Sequence, residues 1–234
     1  CLQAPDSQAR TRYPQQGRYL LRCLPCLFLS EYSAMKHLLK LLFNVPGLVA
    51  TLLAFTMLAA PVQAADNDLP KVRVVTSEGA FVLQLRPDVA PKTVKNFLDY
   101  VEQDFYEGTI FHRVIAGFMI QGGGFTPNMM RKPTQEPVVN EASETVPNLR
   151  GSIAMARTQD PDSATSQFFI NVADNDFLNA GVRGPGYTVF GKVTEGMGVI
   201  DRIARTETRR VRGMADVPSS PIVIKSITRL NNED

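Results

Sequence analysis

The residue types that carry most enzyme chemistry are scarce in this chain, and their placement excludes several reactions. The three cysteines, Cys1, Cys23 and Cys26, all lie before residue 65, and His112 is the one histidine beyond it. Residues 65–234 therefore hold no thiolate nucleophile, no disulfide and no Cys-based zinc site, and a His-rich metal site is impossible. A Ser-His-Asp triad would have to use His112, but no Gly-x-Ser-x-Gly elbow accompanies it. Cys23-Leu24-Pro25-Cys26 has redox-pair spacing without the strand-to-helix setting that such chemistry requires. Gly122-Gly123-Gly124 lacks the Gly-Lys-Ser/Thr of a phosphate loop and reads as a tight turn that needs backbone freedom. What remains is an apolar concentration with a few polar side chains set into it. It comprises Phe111-His112-Arg113-Val114-Ile115-Ala116-Gly117-Phe118-Met119-Ile120-Gln121-Gly122-Gly123 and, later, Ser166-Gln167-Phe168-Phe169-Ile170.

The elements that must position these residues are short strands. Segments 72–76 and 80–85 are β-branched runs around Ser77-Glu78-Gly79, a hairpin signal, and Phe81, Leu83 and Leu85 alternate along the second. Ala90-Pro91 opens a helix along which Val94, Phe97, Leu98 and Val101 recur at helical spacing. Further strands are predicted over 109–114, 118–121, 152–156, 168–172, 187–193 and 222–227, with a second helix over 196–204. These elements predict a mainly β fold, a closed antiparallel eight-stranded β-barrel capped by two α-helices, because closure removes exposed strand edges. The long loops 126–148 and 173–186 would run over its surface, where binding usually resides.

Single residues have bland readings too. Phe118, Met119 and Phe169 on short strands are ordinarily core, a lone arginine such as Arg113 is ordinarily solvated, and Lys192 reads as a strand-edge charge. His112 reads as a partly buried, hydrogen-bonding structural side chain. Strict alternation puts Met119 and Gln121 on one face and Phe118 and Ile120 on the other, so Phe118 and Met119 share a pocket only if the strand bends or ends between them.

The two apolar motifs resemble the signatures of the cyclophilins, the cyclosporin-type peptidyl-prolyl cis-trans isomerases. Ser152-Ile153-Ala154-Met155-Ala156 and Val189-Phe190-Gly191-Lys192-Val193 extend the resemblance in the family's order, over residues 72–230, and with a signal peptide ahead of it the chain resembles the periplasmic bacterial type. The resemblance implies an isomerase of X-Pro bonds that helps exported proteins fold, with no cofactor and no metal. Its partners would be proline-containing peptides and unfolded exported proteins, its state a monomer, and its cyclosporin binding weak. It implies a catalytic Arg113, a proline pocket of Phe118, Met119, Phe169 and Leu178, and a Gln121 that bonds the substrate backbone. Ala156 and Arg157 would hold the residues before the proline, with Gln167 near them. Phe177 and Tyr187 stand where many eukaryotic members carry Trp and His.

The chemistry of the residues themselves is compatible. The barrier to peptide-bond rotation, roughly 18–20 kcal/mol, arises from delocalisation of the nitrogen lone pair, and relieving it needs no nucleophile. A guanidinium donating to the prolyl nitrogen as it pyramidalises favours the twisted state selectively, and arginine stays charged at working pH. A competing reading is a binding module that recognises Pro segments without turning them over. An intact Arg113 and Gln121 weigh against it. A structural subunit of an envelope assembly is a further alternative, which predicts an exposed apolar patch beyond the groove.

Composition bounds the rest. The 234 residues are 44% hydrophobic, with 25 basic and 23 acidic side chains and a net charge of +2, which gives no reason to expect a nucleic-acid partner. Arg10, Arg12, Arg18, Arg22, Lys36 and Lys40 against Asp6 and Glu31 give residues 1–64 a net of +4, which leaves −2 for residues 65–234. Met35-Lys36-His37 and Lys40 make a basic start, 41–60 is largely apolar, and Pro61-Val62-Gln63-Ala64 has short side chains at the two positions a signal peptidase reads. This predicts a signal peptide over 35–64, cleaved after Ala64, and a periplasmic domain over 65–234. A transmembrane anchor competes, since the stretch approaches the roughly 20 residues that span a bilayer. The Pro46-Gly47 break weighs against it. Residues 1–34, polar and Arg-rich, read as an upstream extension outside the fold.

Overall fold

Short runs of β-branched and aromatic residues pair into one curled sheet in the computed structural model, which describes residues 69–230. The expected extension at 1–34, with its Cys-x-x-Cys pair, and the signal peptide at 35–64 lie outside the described residues. In chain order the strands are β1 (Lys71–Thr76), β2 (Gly79–Leu85), β3 (Ile110–Ile115), β4 (Met119–Phe125), β5 (Ser152–Met155), β6 (Phe168–Asn171), β7 (Val189–Glu195), β8 (Thr208–Val211), β9 (Met214–Pro218) and β10 (Ile224–Leu230). Eight of them form an antiparallel sheet in the order β10-β1-β2-β7-β5-β6-β4-β3.

The expected closure is stronger than what is observed. The two ends of the sheet, β3 and β10, meet at an isolated bridge between Ile110 and Val223, with Phe111 N–H donating to Ile222 O and Ile224 N–H to Thr109 O. The barrel is thus a curled sheet with a bridged seam. A second difference is the β8–β9 hairpin, where the sequence predicts no strand. Its turn residues Arg212 and Gly213 both have positive φ, 49° and 85°, as a tight two-residue hairpin turn requires. Lys192, read as a strand-edge charge, is exposed on β7, which lies inside the sheet between β2 and β5.

Helix α1 (Pro91–Glu102) begins with proline in its first turn, where the missing N–H is harmless, and buries Val94, Phe97, Tyr100 and Val101. Ala90 at its N-cap offers no side-chain acceptor. The Glu141 carboxylate does so from the long loop, accepting from the Lys92 N–H at 3.1 Å, the Thr93 N–H at 2.8 Å and the Thr93 hydroxyl at 2.7 Å. Helix α2 (Met197–Ala204) buries Val199, Ile200 and Ile203. Both helices add their apolar faces to the sheet's inner core, where the Phe97 ring lies 5.2 Å from Tyr106, 5.8 Å from Phe168 and 5.3 Å from Phe190.

Candidate active site

Alternation sorts the site from the core. Ile120, Phe168, Ile170, Ile153 and Met155 belong to the main core, whereas their neighbours Met119, Phe169 and Ala154 form a second apolar cluster with Leu178 and Val189. Strand register lines up the members of this second face. Arg113 pairs with Gln121, Gln121 with Phe169, and Phe169 with Ala154, a row across β3, β4, β6 and β5.

A bulge puts Arg113 into that row. The β3–β4 register shifts between Phe111 and Arg113, leaving His112 unpaired, and the shift lets Phe111 and Val114 both enter the core while Arg113 turns to the other face. His112 is only 4% exposed and lies against Phe125, with ring centroids 4.6 Å apart. Its Nδ1 has no hydrogen-bond partner, and the histidine expected to be partly buried is deeply buried. Burial lowers its pKa from 6.5 to about 4; the Ile110 carbonyl opposes the shift and the Arg113 charge adds to it.

The glycines of β4 are a correction as well. Gly122-Gly123-Gly124 lies within the strand and forms no tight turn. Gly123 has φ 80°, and a Cβ there would meet the Phe168 and Tyr106 rings at 2.9 Å. A Cβ on Gly124 would meet Gln167 Cγ at 2.5 Å, so the missing side chain is the space that Gln167 occupies. Gln167 Oε1 accepts from Gln121 Nε2 at 3.1 Å and thereby orients it.

Arg113, Phe118, Met119, Gln121, Ala156, Arg157, Phe169, Leu178 and Tyr187 line one cavity of about 110 Å³. Every one of them is a residue to which the sequence points. Phe118 can share it with Met119 because β4 begins at Met119, and Phe118 sits in the preceding turn. Gln167 and Phe177 stand outside the lining. Gln167 backs Gln121, and Phe177, at the 3₁₀ turn Asp176–Leu178, packs its ring 5.5 Å from Phe118. Arg157 is committed as a wall: Nε and Nη2 donate to Gly186 O at 3.1 and 2.9 Å, and its guanidinium lies 4.4 Å from the Tyr187 ring centre. Arg113 keeps a looser partner, with Nε 3.9 Å from Asp216 Oδ2 and both side chains partly exposed. Among the described residues no cluster of three or more His, Cys, Asp or Glu side chains could hold a metal ion.

The family model described as "Cyclophilin type peptidyl-prolyl cis-trans isomerase/CLD" matches residues 71–229. The chain belongs to the cyclophilin family. Peptidyl-prolyl cis-trans isomerase A of Dickeya dadantii is 54% identical over 178 residues, 76% of this chain and 93% of the relative. Peptidyl-prolyl cis-trans isomerase B of Escherichia coli is 54% identical over 156 residues, 65% of this chain and 95% of the relative. A cyclophilin type peptidyl-prolyl cis-trans isomerase of Cryptosporidium parvum, solved in the presence of the dipeptide Ala-Pro, shares the fold. Its TM-score is 0.61 at 29% identity, covering 69% of this chain and 99% of that one. This cyclophilin is therefore a peptidyl-prolyl cis-trans isomerase, and its curled eight-stranded sheet with two helices is the architecture of its structural neighbours.

Two groups near the cavity escape sequence reasoning. Asp216 comes to Arg113 on β9, and the Arg212-Gly213 turn signal between Thr208–Val211 and Met214–Pro218 could have revealed that hairpin. Asn148, Asn171 and Asn175 are buried beside the site at 1%, 0% and 3% exposure. Buried asparagines at scattered positions leave no periodic trace, and no motif marks them.

Proposed function

We propose that this cyclophilin turns over X-Pro bonds by holding the proline ring in the cavity while Arg113 donates to the prolyl nitrogen as the amide twists, and that its clients are exported proteins. The observation that carries the mechanism is the sharing of one cavity by the Arg113 guanidinium and the apolar walls Phe118, Met119, Phe169 and Leu178. A proline ring suits those walls, and Gln121, held by Gln167, faces the backbone on either side of it. Ala156 and Arg157 border the stretch before the proline.

Rotation makes and breaks no covalent bond, so catalysis is differential binding of the twisted state. The developing lone pair on nitrogen accepts a charge-assisted hydrogen bond that the planar amide cannot accept, and an apolar cavity strengthens that bond by excluding water. A 10⁵-fold acceleration corresponds to about 7 kcal/mol. The Ala-Pro dipeptide with the Cryptosporidium parvum relative supports proline-bearing peptides as the substrate class. A protease-free assay on a Pro peptide tests turnover, and Phe118→Ala should weaken binding and lose turnover at subsaturating peptide while the rate in the complex holds, because ring contacts serve ground and transition states alike. Normal binding by Phe118→Ala would contradict the pocket.

Export rests on the sequence of residues 35–64, a basic start, an apolar stretch and a cleavage signal ending at Ala64. Uncatalysed X-Pro isomerisation takes tens to hundreds of seconds, slow enough to limit folding of exported chains. Protein recovered from the cell envelope should begin at Ala65 or within a few residues of it by N-terminal sequencing. A membrane-extracted form retaining residues 35–64 would contradict processing and favour an anchor.

A further inference from the structure

The cavity walls come from two kinds of backbone. Met119, Gln121 and Phe169 lie on strands, where the ladder fixes them. Phe118, Leu178 and Tyr187 come from a turn, the end of a 3₁₀ helix and a loop before β7, outside the strands. Single backbone bonds hold them in part, Val172 N–H to Phe118 O and Tyr187 N–H to Leu178 O, and buried side-chain amides add to these. Asn175 Nδ2 donates to Phe118 O at 3.0 Å and to Asn171 Oδ1 at 2.7 Å. Asn171 Nδ2 donates to Asn148 Oδ1 at 3.2 Å and Ser152 Oγ at 2.9 Å. Asn148 Nδ2 shares its two hydrogens among Asn179 Oδ1 at 3.2 Å, Leu178 O at 3.3 Å and Tyr187 O at 3.4 Å. The backbone joins the chain, with Asn175 N–H donating to Asn148 O at 2.9 Å.

We propose that this buried amide chain, Asn175–Asn171–Asn148, is a positioning device for the proline pocket, gripping Phe118, Leu178 and Tyr187 by their carbonyls and thereby setting affinity for the proline-bearing segment. The proposal rests on the reading of the cavity as the proline pocket. Phe118 O also accepts from Val172 N–H and Leu178 O from Tyr187 N–H, both at 3.0 Å, so the amides fill the second lone pair and fix the direction of each carbonyl. Asn171 and Asn175 each direct their two amide hydrogens at two acceptors. Neither a carboxylate nor an aliphatic side chain of the same size can replace them, because the acceptors would be left facing charge or nothing. Burial keeps water from substituting, so the amide chain ties the three irregular segments to one another.

A positioning role predicts a defect in binding with normal chemistry once bound. Proline-peptide affinity and bound-state interconversion are to be measured together by NMR titration and exchange on the full chain. Asn175→Ala should weaken binding by about tenfold, the net worth of one to two buried hydrogen bonds, while interconversion in the complex stays within about twofold. Adding Asn175→Ala to Phe118→Ala should weaken binding by less than about threefold more, since the ring it positions is gone. Thr109→Val, which removes the buried Thr109 hydroxyl bond to Tyr106 O and touches no pocket wall, should lower the melting midpoint and leave affinity unchanged. Asn175→Ser carries the same comparison where the alanine variant is too unstable to titrate. Natural affinity in the Asn175 variant, full multiplication of the two losses in the double variant, or an equal loss in Thr109→Val would overturn the proposal. Natural affinity in Phe118→Ala would instead remove the pocket reading itself, and the proposal with it.

Discussion

Phe177 stands beside the cavity, 39% exposed, with its ring against Phe118 and the Arg183 guanidinium 5.3 Å above it. It has the apolar face of a tryptophan without the indole N–H, so a ligand that offers a carbonyl there loses a partner worth about 0.5–1.5 kcal/mol. Cyclosporin should inhibit weakly, and Phe177→Trp should tighten it by roughly two- to tenfold in an inhibition titration. Tight inhibition of the natural protein would show that this position does not face the ligand. His112 makes a different prediction, about stability. Its folded pKa of about 4 lies below the ordinary 6.5, so between those values the unfolded chain binds a proton that the folded one refuses. Its contribution is fully present above pH 6.5 and is lost as pH falls towards 4, on the order of 3 kcal/mol in all. Denaturant midpoints at pH 7 and 4.5 should separate less in His112→Gln than in the natural protein. Equal separations would contradict the assignment. At this scale the sequence is informative where a motif names a residue and silent where burial decides: Arg113 is legible, whereas the unpartnered Nδ1 of His112 depends on a bulge that no spacing reveals.

Elements are legible when hydrophobic period is their cause. All eight strands of the main sheet and both helices follow from branched runs and from the Val94, Phe97 and Val101 spacing. What escapes is long-range. The cap of α1 comes from Glu141, a residue 48 positions from Thr93, and a sequence window sees only an uncapped Ala90. Removing the carboxylate leaves two N–H groups and the buried Thr93 hydroxyl without their acceptor, so Glu141→Ala should cost about 1–2 kcal/mol by urea denaturation. An unchanged midpoint would mean that water or another side chain caps the helix as well. The same loop is tied to the strand that follows the pocket, with Glu141 N–H donating to Thr188 Oγ1 at 2.9 Å and Thr188 Oγ1 to Asn140 Oδ1 at 2.7 Å. The β8–β9 hairpin was obscured by its charge: Arg209, Arg210 and Arg212 break the apolar alternation by which strands are recognised.

The whole molecule separates two jobs by sheet face. The inner face of the curled sheet and the two helices make the core, and the outer face of β3, β4, β5 and β6 presents a row of paired residues beside which the irregular segments place further cavity walls. Such a division explains why the motif residues looked like core in isolation: Met119 and Phe169 are buried, but in the second cluster, under the site. The seam between β3 and β10 was not legible, because closure depends on curvature summed over the sheet and not on any one strand. In the mechanism proposed above, this row serves Arg113, which acts on the twisted amide and not on the bound ground state. NMR exchange on a proline peptide populated in both isomers, with Arg113→Ala and Arg113→Lys, reads binding and interconversion at once. Arg113→Ala should bind nearly as well as the natural protein while interconversion falls by roughly 10²–10³, the cost of losing a transition-state donor. Arg113→Lys should recover only part of the rate, since a mobile ammonium replaces the planar fork. Isomerisation by Arg113→Ala at the natural rate would contradict the mechanism and leave only the fold.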